Sequence, residues 1–117
     1  MKINRVGVDL SKNVFQVHGV DSKEHPVWRR RLSREKWLKT LLTKVEPGCE
    51  VGMEACGSAH HWGRELERRG FRVRLVAAQF VKPYVKSNKN DANDAEAVCE
   101  ATETAQLRRQ RPAAGYQ

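Results

Sequence analysis

No apolar run in the sequence approaches the roughly 18 residues needed to span a bilayer. Nothing after Met1-Lys2-Ile3-Asn4-Arg5 has the apolar core of a secretory leader. Cysteine is scarce: Cys49, Cys56 and Cys99 make an odd set without CxxC spacing. That argues against a disulfide framework and a zinc knuckle, and it suits a reducing cytoplasm. No GxxxxGK followed by Ser or Thr is present, and no GxGxxG, so a glycine loop cradling phosphate is not expected. There is no internal repeat.

What the sequence does have is positive charge. Lys and Arg number 22 against 14 Asp and Glu, a formal balance of +8 in 117 residues. Such an excess points to a polyanionic partner, above all nucleic acid. The composition is otherwise that of a soluble globular domain, at 39% hydrophobic and 31% charged. The length allows one domain with a modest core.

Apolar and β-branched runs predict strands over 3–10, 14–20, 27–32, 49–53 and 71–77. The first two are expected to form an antiparallel hairpin. Arg29, Arg30 and Arg31 suit an edge strand, where charge discourages wrong pairing. Leu38, Leu41, Leu42 and Val45 recur with helical spacing, with Ser33 as the expected N-cap. A second helix is expected from Ser58 to Arg69, stopped by Gly70. Residues 78–85, broken by Pro83, read as a loop or short helical turn. A third helix is expected from Asp91 to about Gln106, with Ala92, Ala95, Val98, Cys99 and Thr102 on one face. Residues 107–117 read as a basic, disordered tail.

The expected order is therefore β-β-β-α-β-α-β-α. It implies an α/β fold, a mixed five-stranded sheet with helices on both faces. Right-handed crossovers place the first, fourth and fifth strands side by side in parallel. Asp9 and Glu54 then stand at the carboxyl ends of neighbouring strands, where open α/β sheets hold their sites.

Asp9, Glu54, Asp91 and Asp94 are the candidate catalytic and metal-ligating residues. Four carboxylates converging from three segments make a hard-oxygen cage suited to magnesium or manganese. Each also has a structural reading. Asp9 fits a turn, and Asp91 with Asp94 resembles a capping box. Glu54 at a strand end, among small residues, is harder to explain without a cation. The i, i+3 spacing of Asp91 and Asp94 puts both on one helix face. Lys12, Lys82, Lys86, Lys89, Arg29 and Arg31 are the candidate nucleic-acid contacts, with a solvated basic surface as the alternative. Trp37 and Trp62 fall at helical spacings and are expected in the core.

Gly7-Val8-Asp9-Leu10-Ser11-Lys12, Met53-Glu54-Ala55-Cys56-Gly57 and Lys89-Asn90-Asp91-Ala92-Asn93-Asp94-Ala95 together resemble the DEDD-type transposases of bacterial insertion sequences. These are the insertion-sequence one-ten group, with the related pilin-gene invertases. The resemblance implies a ribonuclease-H-like, RuvC-like catalytic domain over residues 1–106, with Asp9, Glu54, Asp91 and Asp94 as its D, E, D and D and magnesium as its ion. It implies DNA as partner, in some members a guide RNA, and a homo-oligomeric full-length protein. Relatives continue into a second domain bearing a serine nucleophile, absent here, so the expectation is a chain inactive by itself. A non-catalytic nucleic-acid-binding module is the alternative. A fragment of a sugar-kinase or actin-like phosphotransferase is weaker, because Ser11-Lys12-Asn13 stand where that class has glycine and threonine.

Overall fold

The computed structural model describes residues 2–11, 13–84 and 91–110, and for 91–93 and 104–110 the backbone alone. Among the described residues the fold is α/β, with a five-stranded mixed sheet and four α-helices. In chain order the elements are β1 (Arg5–Leu10), β2 (Val14–Val20), β3 (Pro26–Ser33), α1 (Trp37–Lys44), β4 (Glu50–Glu54), α2 (Gly57–Arg68), β5 (Arg72–Val76), α3 (Ala78–Val81) and α4 (Asp91–Gln110). A 3₁₀ turn over Lys82–Tyr84 follows α3.

The sheet order is β3-β2-β1-β4-β5. β1 and β3 pair antiparallel with β2, while β1–β4 and β4–β5 are parallel. The β2–β3 turn is shaped by Asp21, whose carboxylate accepts the N–H groups of Lys23 and His25, each at 2.9 Å. Those two bonds hold the Asp21 carboxyl below the ordinary carboxylate range.

Alternation along the strands divides the residues between two faces. Val6, Val8, Val51 and Met53, all fully buried, meet Trp37 and Leu41 of α1 and Ala59 and Leu66 of α2. Phe15, Trp37 and Trp62 interlock there, with ring centroids 5.2 to 5.8 Å apart. Both helical tryptophans therefore serve the core. On the other face α4 packs across β1, β2, β4 and β5.

Two helix ends differ from expectation. Ser33 ends β3, and its Oγ accepts the Lys36 N–H at 3.3 Å in a turn, so α1 starts only at Trp37. The buried stripe is Trp37, Leu41 and Val45, which leaves Leu42 exposed. The helix α4 runs on through Leu107, Arg108 and Arg109 to Gln110, beyond the expected end. These residues are good helix formers, and basic side chains suit the negative end of a helix dipole.

Candidate functional site

Asp9 and Glu54 come from the two central parallel strands. The β1–β4 register runs from Arg5 opposite Glu50 to Val8 opposite Met53. One further step sets Asp9 beside Glu54, on strands about 4.8 Å apart. Both are half-buried. They share the α4 face with Gly7 and Gly52, two residues earlier on each strand and themselves a register pair.

Those glycines seat the helix. A Cβ at position 7 would lie 2.6 Å from the Ala95 O and the Cys99 Cα, which are backbone atoms of α4. A Cβ at position 52 would lie 2.7 Å from the Thr102 Cβ and overlap its hydroxyl. Glycine inside a strand marks such close approach. Thr102 is fully buried, and its hydroxyl donates to the Val98 O at 2.7 Å.

Arg5 fixes the direction of α4. It is 3% exposed. Its Nε donates to the Cys99 O at 2.9 Å, its Nη1 donates to Glu24 at 3.0 Å, and Glu103 lies 3.9 Å away. Burial opposes the charge, but the Glu24 carboxylate outweighs it and holds the guanidinium charged. Arg5 thus meets α4 at Cys99 and Glu103, and Gly7 meets it at Ala95 and Cys99. The helix therefore runs antiparallel to β1, with its N-terminal end toward Asp9. Two strand residues advance about 6.6 Å, which is about four residues of helix. The row of Asp9 is reached near the first turn of α4, where Asp91 and Asp94 stand. Asp94 is half-buried, and the Asp91 side chain lies outside the described residues.

Among the described residues no three His, Cys, Asp or Glu side chains stand close enough to hold a metal ion. The donors are nonetheless of the right kind, since carboxylate oxygens suit magnesium and manganese. Asp9, Glu54 and Asp94, all of them described, do not form such a group, and the Asp91 side chain lies outside the described residues.

Arg29 and Arg31 are exposed on β3, and Lys82 is exposed on the 3₁₀ turn. Lys12, Lys86 and Lys89 lie outside the described residues. A cavity of about 280 Å³ opens near the start of β1, lined in part by Arg5, His18, Glu24, Glu96, Glu100 and Glu103. It lies near the opposite end of β1 from Asp9, and its acidic wall does not suit a polyanion. Thr102 is buried on the helix face expected from sequence, whereas the roles of Arg5 and the glycine pair are not among those expectations. Glycine at i−2 from both strand-end acids was the signal available.

The family model described as "Transposase", of the DEDD IS110 type, matches residues 6–115. The protein named "Probable family 20 transposase" from Pseudomonas aeruginosa is 56% identical over 108 residues, 92% of this chain and 31% of that protein. The transposase for insertion sequence element IS1111A of Coxiella burnetii is 45% identical, over 91% of this chain and 29% of its own length. That for insertion sequence element IS1328 of Yersinia enterocolitica is 44% identical, over 86% and 29%. The chain thus spans under a third of the length of each of these relatives. No described helix is long and apolar enough to cross a membrane. By the extent of the family match and the strand-end acids it encloses, the chain belongs to the DEDD transposase family of insertion sequences.

Proposed function

We propose that this chain is the ribonuclease-H-like, RuvC-like catalytic domain of a cytoplasmic DNA transposase, which cuts and exchanges strands together with the rest of such a protein. The parallel register that puts Asp9 beside Glu54, facing the N-terminal end of α4, carries this reading. Asp9, Glu54, Asp91 and Asp94 are its ligand set for magnesium or manganese. Divalent ions held there would supply activation of a nucleophile and stabilisation of the leaving oxygen in phosphoryl transfer. The chain's own contribution is placement. Two carboxylates are held by adjacent strands and two by a helix locked onto the glycine seat. Exposed Arg29, Arg31 and Lys82, with Lys12, Lys86 and Lys89, supply phosphate contacts. A guide RNA and a homo-oligomer belong to the same proposal at the level of the full-length protein.

Calorimetry with manganese, with and without duplex DNA, tests the site. Wild type is expected to give saturable heat that Asp9→Asn or Glu54→Gln removes. Equal heats for wild type and a variant lacking all four carboxylates would overturn the metal site. The lack of a metal-binding trio among the described residues favours one competing reading, a non-catalytic nucleic-acid-binding module. That module would bind DNA equally well in all these variants and give no manganese heat.

A further inference from the structure

The edge strand β3 carries three consecutive arginines, and their register divides them. Arg31 pairs with Gln16, which pairs with Asp9. Arg29 pairs with His18, which pairs with Gly7. Arg29 and Arg31 therefore lie on the α4 face, in the rows of Gly7 and Asp9. Arg30 pairs with Val17 and lies on the opposite face, between Trp28 and Leu32. All three arginines are exposed. Arg29 also acts electrostatically on the buried His18, as a neighbour on the same face does.

We infer that Arg31 and Arg29, with Gln16, form a track on the α4 face of the β2–β3 edge that binds the phosphodiester backbone and leads a strand to the row of Asp9. The inference rests on the reading of Asp9 and Glu54 as the reaction centre, and it adds the direction of approach. Arg31 stands two strand spacings from Asp9, about 9.6 Å. One strand of duplex covers that distance in about three steps of 3.4 Å. The acid-lined cavity beside Glu24, Glu96, Glu100 and Glu103 repels a polyanion at the other end of β1. The backbone is thereby confined to the Asp9 end, and Arg31 carries more of the contact than Arg29. The competing account is edge protection, in which arginines only discourage strand pairing. That account takes no notice of which face an arginine occupies, so Arg30 is the internal control.

The test is fluorescence anisotropy in EDTA with duplex DNA and, in a second arm, RNA of the same sequence, titrated with salt. Each phosphate contact contributes about 0.9 to the slope of log K against log salt on duplex DNA, and about 0.7 on a single strand. Arg31→Ala is expected to lower the slope by nearly one such step and to weaken binding several-fold, and Arg29→Ala to change both in the same direction by less. Arg30→Ala is expected to leave both unchanged. Arg31→Glu is expected to weaken binding further. The pattern on either nucleic acid supports the track, and the arm that shows it names the strand bound. Equal effects of Arg30→Ala and Arg31→Ala, or no effect of Arg29→Ala and Arg31→Ala on both nucleic acids, would overturn it. Melting temperatures measured alongside identify any variant that fails to fold, for which Arg→Gln is substituted. Because no divalent ion is free in EDTA, the result is independent of the manganese experiment. A failed metal site and a failed track are thus told apart.

Discussion

Replacing Gly52 by alanine should reverse the usual sign of such a change. In the middle of a strand, Gly→Ala ordinarily stabilises by about 0.5–1 kcal/mol, because glycine loses more backbone freedom on folding. At position 52 the new methyl would lie 2.7 Å from the Thr102 Cβ and 2.8 Å from its Cγ2. Overpacking of this kind costs about 1–3 kcal/mol. Thr102 has no room to turn away, since it is fully buried and its hydroxyl holds the Val98 O. Losing that bond adds about 1 kcal/mol. Gly52→Ala is therefore expected to destabilise by about 1–3 kcal/mol net of the entropic gain. Thr102→Ala alone should cost about 1 kcal/mol, from the lost methyl and hydrogen bond less the better helix propensity of alanine. Together the two should cost less than their sum by about 1–2 kcal/mol, because the smaller side chain at 102 relieves part of the overlap. The measurement is urea unfolding of the four proteins in the cycle, followed by fluorescence of the buried Trp37 and its partner Trp62. If Gly52→Ala were as stable as wild type, or if the two changes added within about 0.5 kcal/mol, α4 would not rest on Gly52 and the seat would be wrong.

Arg5→Ala should lower stability by about 2 kcal/mol, below the full cost of breaking a buried pair because Glu24 is 42% exposed and rehydrates. Arg5→Lys should recover only part of that in the same unfolding assay, since a lysine cannot bridge Glu24 and the Cys99 O with a planar fork. His18 is 4% exposed, and among the described residues its Nδ1 has no hydrogen-bond partner. Burial lowers its pKa below the ordinary 6.5; Glu96 opposes this, and Arg29 and Arg5 assist it. The unfolded chain then takes up the proton first as pH falls. Stability should be full above about pH 6.5 and decline below it until the folded-state pKa is passed, a slope that His18→Gln should flatten. Of the three thiols, exposed Cys56 should react quickly with a disulfide reagent. Buried Cys49 and Cys99, each pushed up to about 11 chiefly by burial, should react only on unfolding.

The strands were legible because burial on one or both faces writes itself into β-branched runs, as in Val6 and Val8 or Val51 and Met53. The start of α1 was not. Ser33 has the chemistry of a cap, but its hydroxyl serves a turn, and pairing to Val14 keeps it in the sheet. The width of the buried face of α4 was underestimated for a similar reason. Ala97 and Ala101 fall outside the expected stripe, yet they are buried with Val76 and Val81. The helix is wedged between the sheet and the α3 segment, a tertiary fact that no periodicity records. Arg5 was hidden too, since a buried arginine and a surface one look alike until Glu24 and the Cys99 O are placed around it.

The acids and the helix seat share a spacing that links these observations. Gly7-Val8-Asp9 and Gly52-Met53-Glu54 repeat glycine, a buried apolar residue and an acid on two neighbouring parallel strands. With a period of two, each glycine lies on the same face as its acid, and each apolar residue points to the opposite core. Gly7 admits the backbone of α4, and Gly52 the Thr102 side chain, to within contact distance of the sheet. The helix that takes this seat has Asp91 and Asp94 in its first turn. A larger residue at position 7 or 52 would lift the helix and move its acids away from Asp9 and Glu54 without touching any of the four. Three segments far apart in the chain are thereby tied to one geometry. If the metal site is as proposed, Gly7→Ala should weaken manganese binding while leaving all four carboxylates in place. Full manganese affinity in a folded Gly7→Ala protein would show that the seat and the site are independent.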